Sequence, residues 1–195
     1  MSELWALAAF SFVSAITPGP NNVMLWASGV QFGFRRTMPH IIGITAGVGS
    51  MALLVAAGLG VLITTVPALE TGLKIIGSVY LLYLAYQIAG GGASGEREVA
   101  DPLTLWQALL FQYVNPKAWV FVLAAVTTFR PQDLRVMLGT LLMASVMMLV
   151  VVPCASVWAG AGTFLNRFLT GGRRSRTFRV ALGVLLAATV LYIWV

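Results

Sequence analysis

Two clusters of helix-breaking and amide residues stand where an unbroken apolar helix is expected. The first is Thr17-Pro18-Gly19-Pro20-Asn21-Asn22, and the second, about a hundred residues on, is Asn115-Pro116-Lys117. Proline has no backbone N–H and presses on the preceding turn, so each cluster frees carbonyls from the helical ladder. Gly19 relaxes the backbone between its two prolines. The side chains of Asn21, Asn22 and Asn115 both donate and accept hydrogen bonds, and hydrocarbon tolerates neither function unpaired. Freed carbonyls and amide oxygens suit an ammonium. The N–H groups of new half-helix N-termini suit a carboxylate. Together these are the groups that bind a zwitterion, and matched breaks in two halves of a membrane chain mark a transporter's binding site.

Charge narrows the candidates. All six acidic residues, Glu3, Glu70, Glu96, Glu98, Asp101 and Asp133, fall in loops or near chain ends. Lys117 is the one basic residue well inside an apolar segment, where burying an ammonium costs at least about 2.5–3.5 kcal/mol on insertion scales. It is the candidate for holding a substrate carboxylate and for coupling to protons, which need a titrating group. The plainer alternative is that Lys117 snorkels or pairs with freed carbonyls as structural glue. Gln112, about one turn before Asn115, is a candidate cavity-lining residue. So is Tyr83, the middle of an i, i+3, i+6 strip with Tyr80 and Tyr86 that otherwise reads as packing or an interfacial belt. His40, beside a basic loop at a helix start, reads as interfacial rather than as a proton carrier. Cys154, the only cysteine, excludes an internal disulfide or redox pair and reads as packing. One histidine and one cysteine leave no zinc cluster, and no other cofactor is implied.

The elements that must position these groups follow from composition. Of 195 residues, 59% are hydrophobic and 9% charged, and mean hydropathy is +0.90. A soluble domain carries about 25% charged residues, so this is an integral membrane protein with room for about six spans. The expected spans run from about Leu4 to Val30, Pro39 to Val66, Leu73 to Ile88, Leu105 to Phe129, Val136 to Phe164 and Val180 to Val195. Pro39 is placed in a first helical turn, and Pro67 to Gly72 in a tight turn. Gly43, Gly47, Gly58, Gly60 and Gly77 read as places of close helix approach. Trp5, Trp106 and Trp194 read as interfacial anchors.

Glu3 is the only charged side chain before Arg35, so the first segment reads as a retained span rather than a signal peptide. The net charge of +6 sits in short loops, which argues for the positive-inside rule and against a nucleic-acid partner. Loops one, three and five carry eight basic residues (Arg35, Arg36, Arg97, Arg167, Arg173, Arg174, Arg176, Arg179), while loops two and four carry three (Lys74, Arg130, Arg135). The odd loops are therefore expected in the cytoplasm and both termini outside. Leu4-Trp5 and Phe10-x-Phe12-Val13 match Leu105-Trp106 and Phe111-x-Tyr113-Val114 at an offset of 101, with four identities. The expected fold is thus all-α: one transmembrane domain of six helices in two inverted three-helix repeats. The first repeat spans about 1–92, a polar connector about 93–103, and the second repeat about 104–195.

Thr17-Pro18-Gly19-Pro20-Asn21 and Asn115-Pro116-Lys117-Ala118 resemble the lysine exporter (LysE/RhtB) family of bacterial amino-acid efflux proteins. Gly43-Ile44-x-x-Gly47 and Tyr80-Leu81-Leu82-Tyr83-Leu84 look like its second and third spans. The resemblance covers nearly the whole chain. It implies an inner-membrane exporter of amino acids or close derivatives driven by proton exchange, with Pro18, Gly19, Pro20, Asn21, Asn115, Pro116 and Lys117 as the motif residues. Val48 departs from the pattern, since relatives carry an acidic or polar residue just after the second glycine. That departure weighs against a carboxylate relay and against a cationic substrate. The expected reading is a secondary transporter of neutral amino acids, with substrate, protons and lipids as partners and a homo-oligomer left open. An uncoupled channel or facilitator and a structural membrane protein are the alternatives. An enzyme lacks residues: there is no cysteine pair and no carboxylate within a span.

Overall fold

The computed structural model describes residues 2–90, 101–129, 136–168 and 172–194, and every described element is helical. The connector at 91–100 and the loop at 130–135 lie outside the described residues, with the charges assigned to them.

The first apolar segment is divided, with α1 at Ser2–Ile16 and α2 at Pro20–Phe32. Gly33, at φ +79, ends α2, a left-handed conformation that glycine adopts without penalty. The next helix, α3, spans Phe34–Leu54. It opens before Pro39, which lies inside the helix rather than at its start. The hydrogen bond that Pro39 cannot donate would have gone to the carbonyl of Arg35, an exposed residue of the first turn. A wide π-helical turn at Val55–Leu59 leads into the short α4, Gly60–Thr65. Gly58 sits in that turn at φ +110, and a Cβ there would meet nothing within 4 Å. Its role is therefore conformational, and the expected packing role is corrected.

The expected turn at Pro67–Gly72 is instead the opening of α5, Pro67–Ile88. Pro67 takes the first position, where its missing N–H costs nothing, and Lys74 Nζ meets Glu70 Oε1 at 2.9 Å. Gly90, at φ +90, follows the end of α5. The second half opens with α6, Leu105–Val114, capped by a reciprocal Thr104–Gln107 box. It continues as α7, Pro116–Phe129, bent 73° from α6. Then come α8, Val136–Asn166 with Pro153 inside, α9, Gly172–Ala188, and α10, Leu191–Trp194. Helix α9 begins eight residues before the expected Val180, so Arg173, Arg174, Arg176 and Arg179 lie on its first turns instead of in a loop.

Among the described residues, three stretches of helix are long and apolar enough to cross a membrane: Phe34–Thr65, Pro67–Ile88 and Met137–Asn166. The bent α6–α7 pair makes a fourth if it is one span. The expected count of six is not reached on these terms. The break at Thr17–Gly19 leaves α1 and α2 individually short, and the arginines of α9 lower its hydropathy.

Glycines set the closest helix crossings. A Cβ on Gly29 would strike the Ala159 carbonyl, and one on Gly162 the Trp26 carbonyl, so α2 and α8 cross nearly backbone to backbone. Likewise Gly43 faces the Leu105 carbonyl, Gly47 faces Gln112, and Gly77 faces the Val114 carbonyl, bringing α6 against α3 and α5. In lipid, where apolar side chains gain little by leaving the solvent, such close contact supplies the dispersion energy that holds helices together. The larger of two buried clusters joins Leu7, Leu25, Ile44, Met51, Val122 and Met147 from α1, α2, α3, α7 and α8. Trp5, Val61, Val79, Leu110, Val120 and Leu149 are more than 60% exposed. Such a surface would drive aggregation in water and is what acyl chains solvate.

Candidate functional site

The two breaks meet. At the first, Gly19 is fully extended (φ −178°, ψ 179°) and Pro20 takes the first position of α2. The freed carbonyls at the end of α1 are all engaged. Thr17 Oγ1 donates to Ser14 O at 3.1 Å. Asn22 Nδ2 donates to Ala15 O at 2.9 Å and Thr17 O at 2.6 Å. Trp158 Nε1, from α8, donates to Ile16 O at 3.1 Å. Lys117 Nζ donates to Thr17 O at 2.6 Å, Thr17 Oγ1 at 3.0 Å and Pro18 O at 3.2 Å. An end of helix inside a membrane protein must be satisfied internally. Here the satisfying groups come from the Thr17 hydroxyl within the break and from α2, α7 and α8.

The second break is tighter. Asn115 alone is non-helical between α6 and α7 (φ −93°, ψ 107°). Its carbonyl accepts from Ala118 N at 3.0 Å and Trp119 N at 3.2 Å, and its Oδ1 accepts from Lys117 N at 3.1 Å. Trp119 Nε1 donates to Tyr113 O at 2.8 Å. Each break thus has an indole N–H on a freed carbonyl. The two half-helix N-termini differ, however. That of α7 is closed by Asn115. At α2, the N–H groups of Asn21 and Asn22 make no hydrogen bond among the described residues, since the first one there is Val23 N to Gly19 O at 3.0 Å.

Between the breaks lies a cavity of about 50 Å³. Gly19, Asn21, Asn22, Gln112, Asn115 and Lys117 line it, with Ser14 adding a hydroxyl. Ile44 and Val48 of α3, Phe121 of α7, and Val151 and Ala155 of α8 form its apolar wall. Asn21 and Gln112 exchange amide hydrogen bonds across it, Nδ2 to Oε1 at 2.8 Å and Nε2 to Oδ1 at 3.3 Å, and Gln112 Nε2 also reaches Ala108 O at 2.8 Å. Among the described residues no carboxylate lines the cavity, and the only charged group there is the Lys117 ammonium, held on the carbonyls of the opposite break. Such a set can hold a small zwitterion: carbonyl oxygens for its ammonium, the α2 N–H groups and Lys117 for its carboxylate. Among the described residues no three His, Cys, Asp or Glu side chains gather where they could hold a metal.

The other sequence candidates fall as follows. Pro18, Pro20 and Pro116 make the breaks but do not line the cavity. Tyr83 is 54% exposed on α5, bonded to Gln87 Nε2 at 2.7 Å and away from the cavity. The helical strip drifts around α5, so only Tyr80 turns inward, its ring 5.5 Å from that of Phe111. His40 is 1% exposed, with neither ring nitrogen hydrogen-bonded, so it is enclosed rather than interfacial. One turn on from it along α3, Gly43 admits α6. Trp194 donates to Ser78 Oγ at 3.1 Å, packing α10 on α5, while Trp5 and Trp106 face outward. Sequence reasoning missed Trp119 and Trp158. Their signal was a tryptophan placed well inside an apolar segment, where the indole N–H needs a partner.

The chain can be compared with known proteins. The family model for LysE type translocators matches residues 12–193. The cysteine/O-acetylserine efflux protein of Salmonella paratyphi A is 28% identical, over 98% of this chain and 97% of its own length. The protein of that name from Escherichia coli K12 has the same identity and coverage. That of Escherichia coli O139:H28 is 27% identical, over 98% and 94%. No solved structure matches.

Proposed function

This chain belongs to the LysE type translocator family, and we propose that it is an inner-membrane secondary transporter that exports small neutral amino acids or their derivatives, of the size of cysteine or O-acetylserine, from the cytoplasm. The relatives are named for efflux of those two compounds, and the chain is a membrane transporter, not an enzyme. The single observation that carries the site is the reach of Lys117, which lines a cavity rich in amides, from the second break to the Thr17 and Pro18 carbonyls of the first. The absence of a carboxylate from the cavity lining among the described residues favours a neutral substrate over lysine or arginine.

In this reading the chain has six spans, with α1–α2 and α6–α7 as the broken first spans of two inverted repeats at about 1–92 and 104–195. Both termini lie outside. Pro18, Gly19, Pro20, Asn115 and Pro116 shape the breaks. The substrate carboxylate is held by the Asn21 and Asn22 N–H groups and by Lys117. Its ammonium lies on freed carbonyls and on the amides of Asn21 and Gln112. Lys117 is also the group that exchanges protons. A cavity of about 50 Å³ is about a third of the roughly 150 Å³ that accommodates benzene in a protein interior. It holds water but not an amino acid, so loading requires one half to rock against the other.

The test is efflux from cells and from loaded proteoliposomes. Overproduction should raise external cysteine and O-acetylserine and confer resistance to toxic neutral analogues, and vesicles should export uphill on a proton gradient. Resistance confined to lysine or arginine analogues would reject the neutral preference. Export that stops when concentrations equalise would identify a channel. Lys117→Ala should abolish coupled efflux, and proton-driven export persisting in that variant would remove Lys117 from the coupling role.

A further inference from the structure

The contacts of Lys117 carry more than a gate or a proton site. Its Nζ lies 2.6 Å from Thr17 O, 3.0 Å from Thr17 Oγ1 and 3.2 Å from Pro18 O. Three oxygens therefore surround one primary ammonium. They lie just past the C-terminal end of α1, where the helix dipole is negative. Two of them are backbone carbonyls that no helical N–H can claim, because Pro18, Pro20 and the extended Gly19 interrupt the ladder. Gly19 is what admits the lysine stem. A Cβ there would come 2.7 Å from Lys117 Cδ and 3.0 Å from Nζ. At φ −178 any residue could adopt this backbone, so the glycine serves space rather than conformation. The unbonded Asn21 and Asn22 N–H groups follow closely in the chain, on residues that line the cavity together with Lys117.

We propose that Thr17 O, Thr17 Oγ1 and Pro18 O form a primary-ammonium subsite that Lys117 occupies when substrate is absent, and that a substrate's own ammonium must displace it. This rests on the export reading only in what it says of substrate; the subsite itself is a claim about any small primary amine. Displacement explains how one cavity serves both states. With Lys117 in place the breaks are latched together and the free space is too small for an amino acid. With Lys117 displaced, its ammonium is available to the carboxylate of the molecule that displaced it. Recognition then requires a free amine, so N-acylated or deaminated analogues leave the latch shut.

The test uses the full chain purified in detergent, as Lys117→Ala and Lys117→Met, with methylammonium chloride as probe. Tetramethylammonium and sodium chloride at equal concentration serve as controls. Vacating the subsite should let methylammonium raise the unfolding midpoint of either variant saturably, by about 3 °C or more well above its dissociation constant. Tetramethylammonium, which has no N–H to donate, should not. The wild type, whose subsite is filled from within, should shift by less than about a third as much. A folded variant with no methylammonium-specific rise, or a wild type that responds equally, would overturn the proposal. So would failure of both variants to fold, because a subsite that only borrows Lys117 must tolerate its loss. The measurement involves no transport, so an absence of amino-acid efflux would refute the export reading and leave this result standing.

Discussion

Gly19→Ala isolates the contact on which the site turns. The new Cβ would lie 2.7 Å from Lys117 Cδ, 3.0 Å from Nζ and 3.4 Å from Cε, with only lysine atoms among its nearest neighbours. Backbone strain plays no part, since the extended conformation of Gly19 is open to alanine. The substitution by itself should even stabilise slightly, by about 0.4–1 kcal/mol, through the unfolded chain. Its cost must come from driving the ammonium off three oxygens. A hydrogen bond to a charged group is worth about 1.5–3 kcal/mol. Lys117 is half-buried and Thr17 and Pro18 are exposed, so screening reduces the total well below three such bonds. A net loss of about 1–3 kcal/mol is expected for Gly19→Ala in the wild type. With Lys117→Ala already in place the added methyl loses its three closest contacts and meets no other atom nearer than 3.4 Å, so the change should be neutral or stabilising by up to about 1 kcal/mol. The coupling energy from this double-mutant cycle should exceed about 1 kcal/mol, beyond the 0.3–0.5 kcal/mol scatter of independent sites. Reversible denaturation in detergent micelles would measure it. An equal loss from Gly19→Ala in both backgrounds would refute the reasoning, since the glycine would then matter for something other than the lysine.

Further outcomes follow from the same geometry. Val48 is 3% exposed and lines the cavity wall, so Val48→Asp should move preference towards cationic substrates, read as gained resistance to a toxic arginine analogue with loss of resistance to a neutral one. Gln112→Leu removes both amide bonds to Asn21 and the one to Ala108 O; it should destabilise by about 1–3 kcal/mol in the same denaturation assay, because Asn21 is left unpaired. Trp158→Phe keeps an aromatic ring but orphans Ile16 O, and should cost about 1–3 kcal/mol, with Trp119→Phe at Tyr113 O giving a comparable loss. Gly58→Ala has open space but a positive φ, and should lower stability by about 1–2 kcal/mol for conformational reasons alone.

Several elements were readable without coordinates because local chemistry decides them. Proline cannot donate, and where it clusters with glycine or asparagine, at Pro18, Pro20 and Pro116, the breaks are legible from residue type, whereas the lone Pro39 and Pro153 are carried inside α3 and α8. Gly43 and Gly47 announce a close crossing, though not that α6 makes it or that Gln112 faces Gly47. Helix boundaries were less legible. Pro39 and Pro67 both suit a first turn, and only Pro67 occupies one, because Gly33 starts α3 earlier than the apolar pattern does. His40 was misplaced for a related reason: its neighbours in sequence are basic, yet packing between distant helices leaves it 1% exposed.

The sequence by itself determined a membrane protein with two polar breaks and one intramembrane cation, since composition and residue type alone settle what hydrocarbon accepts. Tertiary structure decided how those parts are used. Asn22 turns back to tie its own break, and Asn115 closes the α7 N-terminus. The α2 N-terminus stays open, and Lys117 crosses to the carbonyls a hundred residues away. Every amide and carbonyl in the two breaks needs a partner, and many pairings would satisfy that need on paper. Which one forms depends on where α8 and α3 bring the breaks together, and that is a property of packing between helices distant in the chain.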